Sequence, residues 1–287
     1  MVRIYVFLQI ILLSTFYSCH AAYISKADAA VLQKFWRYAN KHQLSEKVIS
    51  ERITTIAVFF MNTPYKSNTL NATKKELPII NLRELDCVTF VENVLALSLL
   101  PEYSDKSIDD FIKNIVKIRY RDGLIEDYTS RLHYSSDWMY EMNRQEILTD
   151  ITQFAGGIKF YPQINFMSKN YEKYPPIKND FKLRAKIKAI ETTVNERTYH
   201  YIQKEKVAAS YHLIKSGDVV LITTTIKGLD TSHMGFAFKQ QGKTYLLHAS
   251  SEKKKIVISK QVLQEYLVGN RTQSGVMIAR SSKAMAK

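Results

Sequence analysis

Apolar residues recur at helical spacing along the first part of the chain: Val31, Leu32, Phe35, Trp36 and Ala39, then Ile53, Ile56, Ala57 and Phe60. This rhythm predicts helices over 26–61. The polar stretch NTPYKSNTLNATKKELP, residues 62–78, reads as a loop. In the next apolar run, DCVTFVENVLALSLL, one helical face carries Cys87, Val91, Val94, Leu95 and Ser98, and Asp86 is a good N-cap. Two more helices are expected near 107–119 and 135–150, the second opening on Ser135-Ser136-Asp137. The segment 156–180, with its Pro175-Pro176 pair, reads as a surface excursion. Beyond it the period changes. SGDVVLITT, HMGFAFK, KTYLLHAS and KKIVIS are short runs rich in β-branched and aromatic residues, separated by the turn signals GLDTS and QQG. Helices first and an antiparallel sheet afterwards describe an α+β fold.

No stretch rich in Pro, Gly or Ser divides the chain, so 22–287 is expected to be one domain, helical over about 22–155 and strand-rich over about 210–280. A hydrophobic content of 46% allows a sizeable core. Residues 1–21 differ from the rest: Arg3, an apolar run from Ile4 to Leu13, then polar and small residues, the pattern of an export signal. The expectation is a periplasmic or extracellular protein. Lipid attachment at Cys19 is the alternative, which Phe16 and Tyr17 disfavour. Elsewhere no run approaches the eighteen apolar residues of a membrane span. A net charge of +14 suits a polyanionic partner, and export argues against nucleic acid. The Lys-rich stretch 173–206 is equally well a solvated basic face.

Removal of Cys19 leaves Cys87 as a lone thiol in an oxidising compartment. The plain reading is an inert, buried thiol. The functional one is a nucleophile, because a helix N-terminus favours the thiolate. A base must then come from the histidines. His20 lies in the leader, and His42, His200 and His212 follow no pattern, which leaves His133, His233 and His248. A two-residue turn at Gln241-Gly242 pairs Gln240 with Lys243 and sets Gly235 opposite His248. His233 and His248 then project from one face as diagonal neighbours. Small residues share that face while Met234, Phe236 and Phe238 point away, which suggests a cleft face and a core face. Cys87 as nucleophile, His233 as base and His248 as orienter follow the logic of a triad. Two histidines paired for structure are the alternative. A zinc site of His133, His233 and His248 lacks any supporting spacing, so no metal or organic cofactor is expected.

DCVTFVE, SHMGFAF and LLHAS, in that order, resemble the NlpC-type cell-wall cysteine hydrolases, which share a papain-like fold. KSGDVVLI resembles the strand those enzymes place before the first histidine. Thr63-Pro64-Tyr65, the NLRELDC stretch and SRLHY at 130–134 resemble the N-acetylmuramoyl-L-alanine amidase-like relatives. Val88-Thr89 stand where the main NlpC group has Ser-Gly, which favours the amidase-like branch. The resemblance implies a hydrolase acting on peptidoglycan or muropeptides, cutting the amide between N-acetylmuramic acid and L-Ala. Cleavage of the γ-D-glutamyl to diamino acid bond, or a silent wall-binding module, are the alternatives. It also implies that Tyr65 lies near the nucleophile and Asp86 near the substrate, with Arg131, His133 and Tyr134 as candidate muropeptide contacts.

Overall fold

The computed structural model describes residues 23–71 and 75–284, so the expected leader, with Cys19 and His20, lies outside the described residues. A short strand β1 (Tyr23–Ile24) precedes helices α1 (Lys26–Lys41) and α2 (Ile49–Phe59) and pairs in parallel with β2 (Ile79–Ile80). Three helices follow: α3 (Cys87–Ser98), α4 (Ile108–Arg119) and α5 (Ser135–Arg144). The chain continues through β3 (Leu148–Asp150), β4 (Ile158–Phe160), α6 (Phe166–Lys169), α7 (Pro175–Lys178), α8 (Phe181–Asn195) and β5 (Tyr199–Gln203). It ends with β6 (Val219–Thr224), β7 (Thr231–Gln240), β8 (Lys243–Ser250), β9 (Lys255–Ile258), α9 (Leu263–Val268) and β10 (Gln273–Ser281). Among the described residues one eight-stranded sheet runs β4-β5-β10-β6-β7-β8-β9, with β3 on the far end of β10. The expected α+β class is what the structure has.

Three elements depart from expectation. The helix over 135–150 stops at Arg144, because Glu146 adopts a left-handed φ of 56° and Leu148–Asp150 then pair with β10. Its cap is also not local: Asp230, at the start of β7, accepts from Ser136 N at 2.6 Å. Directly after the 156–180 segment comes an unexpected fifteen-residue helix, α8, whose first turn is capped by Asp180 accepting from Lys182 and Leu183 N. Only Ile187, Glu191 and Val194 of that helix are buried, so its inward stripe is thin and is interspersed with Lys182, Arg184, Lys186 and Lys188. β10 lies in the middle of the sheet, between β5 and β6.

The sheet is covered on both sides. Met234, Phe236, Leu221 and Met277 join the larger core with the helices, and Phe90 of α3 meets Phe236 edge to face at 5.5 Å. Val220, Ile222, Ala237, Leu246 and Ile278 form a second core on the opposite face, closed by Leu263 and Leu267 of α9. The small-residue face that carries the histidines is therefore no open cleft along its length; most of it is sealed. Beneath α3, Glu92 and Arg119 form a buried ion pair at 2.7 Å, and Arg119 also donates to Ile79 O. That pair ties α3 to α4 and to β2.

Candidate active site

Cys87 is the first residue of α3, and what holds it there is a capping box. Asp86 Oδ1 accepts from Thr89 N at 2.8 Å, while Asp86 N donates to Thr89 Oγ1 at 3.0 Å. Two orphan donors of the helix start are thus satisfied reciprocally. Thr89, which separates this chain from the main NlpC pattern, closes that box. The backbone N–H groups of Val88, of Cys87 itself and of Met234 on β7 favour the thiolate. They do not prevail. Burial and then the Asp86 carboxylate push the thiol from its ordinary 9.0 up to about 12. Desolvation and the charge of the capping residue outweigh the helix N–H groups here.

His233 and His248 stand on β7 and β8, as the register argument requires. Gln241 and Gly242 both have positive φ, 49° and 74°, the two-residue hairpin turn that matches strand twist, and Gln240 pairs with Lys243. Paired residues run from there to Phe236 and Leu247. Gly235, one step on, has no room for a side chain: a Cβ would come within 2.7 Å of Leu247 O and 2.9 Å of His248 Cβ. His233 Nε2 lies 2.7 Å from His248 Nδ1, with the rings at 85°. One proton is shared along that contact. If Nε2 of His233 carries it, Nδ1 of His233 keeps its lone pair and is the nitrogen left to act as a base. Burial drives His233 down from 6.5 to about 4; burial, then repulsion from His233, drives His248 to about 3. The site rests neutral, a thiol with two neutral imidazoles.

Tyr65 also reaches the thiol. Its loop is stitched between β9 and the approach to α3: Tyr65 N donates to Lys254 O and Lys66 N to Leu85 O. Burial raises the Tyr65 phenol, followed by Cys87 and Asp86, both near enough to act on it. The other three candidates have partners of their own. Arg131 holds Glu76 at 2.5 Å and ties down Asn71 Oδ1 and Leu70 O, strapping the 62–78 loop. The His133 ring nitrogen Nε2 lies 2.9 Å from Tyr128 O, and burial takes its pKa to about 4. Tyr134 is 3% exposed, donates to Glu191 Oε1 at 2.7 Å and accepts from Met167 N. Its hydroxyl is thus engaged on both sides within the protein. Among the described residues no group of three or more His, Cys, Asp or Glu side chains is gathered to hold a metal ion. His133, bonded to Tyr128 O, does not join the histidine pair. One neighbour went unread in the sequence: Tyr266 of α9 meets His248 edge to face at 5.3 Å. It sits on a six-residue helix with no motif to mark it.

A mixed helix and sheet fold, with a thiol on a helix tip and two bonded imidazoles on the sheet, is an arrangement suited to acyl transfer. The chain belongs to the AmiA-like family, described as N-acetylmuramoyl-L-alanine amidase-like, whose model matches residues 55–276. It is thus a member of an amidase-like family of cell-wall hydrolases. Among solved structures it is similar to an N-acetylmuramoyl-L-alanine amidase from Bacteroides uniformis, at 38% identity and a TM-score of 0.78, over 81% of this chain and 98% of that one. A Bacteroides fragilis protein named a putative xylanase matches at 38% identity and a TM-score of 0.76, over 79% and 99% of the two chains. A Legionella pneumophila protein shares the fold at 22% identity and a TM-score of 0.67, over 88% and 96%. No curated protein matches. Among the described residues no helix is long and apolar enough to cross a membrane.

Proposed function

We propose that the protein is an exported peptidoglycan hydrolase of papain-like, NlpC-type architecture that cuts the N-acetylmuramoyl-L-alanine amide through Cys87, His233 and His248. What supports this reading is the 2.7 Å contact between His233 and His248, with the backbone N–H of Met234, the next residue after His233, turned to the Cys87 thiol. It leaves His233 Nδ1 for the thiol. Because thiol and imidazole rest neutral, the proton moves as the bond forms rather than beforehand. The S–H bond breaks toward His233 Nδ1 while Sγ bonds to the lactyl carbonyl carbon of the muramic acid. The oxyanion is met by backbone N–H groups at the first turn of α3. Collapse breaks the C–N bond, and His233 returns its proton to the L-Ala nitrogen. Water, deprotonated by His233, then hydrolyses the thioester and frees the thiol.

His248 keeps the His233 ring in the tautomer this sequence needs. In this reading Tyr65 lies near the entering carbonyl, Asp86 meets a polar group of the stem, and Arg131 belongs to the substrate-facing side. The xylanase name of one relative is not carried over. Glycoside hydrolysis runs on two facing carboxyl groups, and the groups gathered here are a thiol, two imidazoles and one Asp. The test is product mass. Incubation with a muramyl tripeptide is expected to give free muramic acid and free tripeptide. Release of the diamino acid alone would assign the γ-D-glutamyl bond instead.

A further inference from the structure

Two groups beside the histidine pair have no part in the reaction as derived: the phenol of Tyr266 on α9 and the amide of Gln273 at the start of β10. The Tyr266 ring extends a chain of rings, meeting His248 at 5.3 Å and 73°, while His248 meets His233 at 4.9 Å and 85°. Its phenol lies near enough to the Gln273 side chain, Glu252 and Cys87 to feel all three. Gln273 is 4% exposed, and its Oε1 has no partner among the described residues. A buried amide oxygen left unpaired is costly.

The orientation of His248 needs such support. The terminal torsion of an imidazole is soft and roughly two-fold, so a ring fixed only at its backbone presents either edge to His233. Only the edge bearing Nδ1 makes the 2.7 Å contact. At its base the side chain is crowded by Gly235, where an added Cβ would come within 2.9 Å of His248 Cβ. Tyr266 bounds it elsewhere. α9 delivers that ring from a firm base, with Leu263 and Leu267 in the second core, Gln264 Oε1 accepting from Ala208 N and Gln264 N donating to Tyr211 Oη.

We propose that Tyr266, with the Gln273 amide near its phenol, is a positioning residue that locks the His248 ring edge onto His233 and so keeps His233 Nδ1 free to act as the base. The inference rests on the mechanism proposed above. Around His248 the groups that titrate or carry charge are His233 from β7 and Tyr266 from α9. Glu252, in the turn after β8, and Cys87, from α3, act on the same phenol.

The test reads Cys87 alkylation by iodoacetamide from about pH 3 to 9, a window that brackets the depressed histidines and needs no muropeptide, together with turnover of a muramyl tripeptide. Tyr266→Leu is expected to lower kcat about tenfold or more with KM held within about twofold. It should also move the acid limb of both profiles toward neutral pH, because water entering beside His248 relaxes its depressed pKa. Tyr266→Phe keeps the ring and is expected to retain kcat within about threefold. Gln273→Met, close in volume, is expected to lower kcat by about threefold to tenfold. An unmoved acid limb in folded Tyr266→Leu overturns the proposal, as does a Tyr266→Phe loss equal to that of Leu. If Tyr266→Leu fails to fold, an unchanged kcat in Gln273→Met overturns it alone. A parent inert on muropeptides counts against the substrate reading, while the alkylation profile still decides this one.

Discussion

Asp86→Asn separates the two jobs that Asp86 performs. As a cap, Asp86 receives Thr89 N at 2.8 Å, and an Asn side chain offers the same acceptor with nearly the same preference for that position. As a charge, Asp86 is the second cause, after burial, of the Cys87 pKa of about 12. Two adjacent side-chain charges roughly 6 Å apart, at an effective dielectric of about 20, interact by about 3 kcal/mol. Partial exposure of both residues screens this to about 1–2 kcal/mol, or about one pH unit. The substitution is therefore expected to lower the thiol pKa by about one unit and to speed iodoacetamide alkylation about tenfold at any pH below the inflection. In the parent, alkylation should climb steadily from pH 6 to 9 without a plateau. Thermal unfolding should hardly move. An alkylation rate equal to or below the parent's would refute the reasoning, as would a parent profile already flat below pH 7. If Asp86 also meets the stem peptide, turnover falls while alkylation rises.

Three further outcomes follow from the packing and the titration. His233 is held at about 4 and His248 at about 3, both below the ordinary 6.5. Their contribution to stability is thus fully present above pH 6.5 and is lost as pH falls through 4. For His233 it amounts to about 3 kcal/mol, and urea unfolding at pH 4 and pH 7 checks it. Gly235→Ala puts a Cβ within 2.7 Å of Leu247 O and 2.9 Å of His248 Cβ. A loss of about 1–3 kcal/mol in denaturant titration is expected, with turnover falling further as His248 shifts. Arg119→Met leaves Glu92 buried without its 2.7 Å partner and is expected to cost about 3–5 kcal/mol. Replacing both partners with apolar residues should recover most of that loss.

Much of the site is legible in the chain itself. DCVT announces a capped helix start, and the Gln241-Gly242 turn sets which residues share a face across β7 and β8. Tyr65 lies near enough to Cys87 for the two to act on one another. What escapes has physical reasons. Val276 to Ala279 of β10 are all buried, on alternating sides of a doubly covered sheet, so no polar alternation marks a central strand. The thin buried stripe of α8 hides among lysines. Arg131 reads as a free fork for a carboxylate, yet Glu76, fifty-five residues earlier, already occupies it. The thiol pKa is a sum of opposing effects, and its sign turns on burial that no local pattern reports. Tyr266 reaches His248 through the second core, a contact set wholly by tertiary packing.

The central claim is that Cys87 is the nucleophile on a stem-peptide amide. The most direct measurement compares the full protein with its Cys87→Ala variant on a muramyl tripeptide, with products read by mass. The account predicts free muramic acid and free tripeptide from the parent and neither from the variant. Equal release by the two proteins would contradict it.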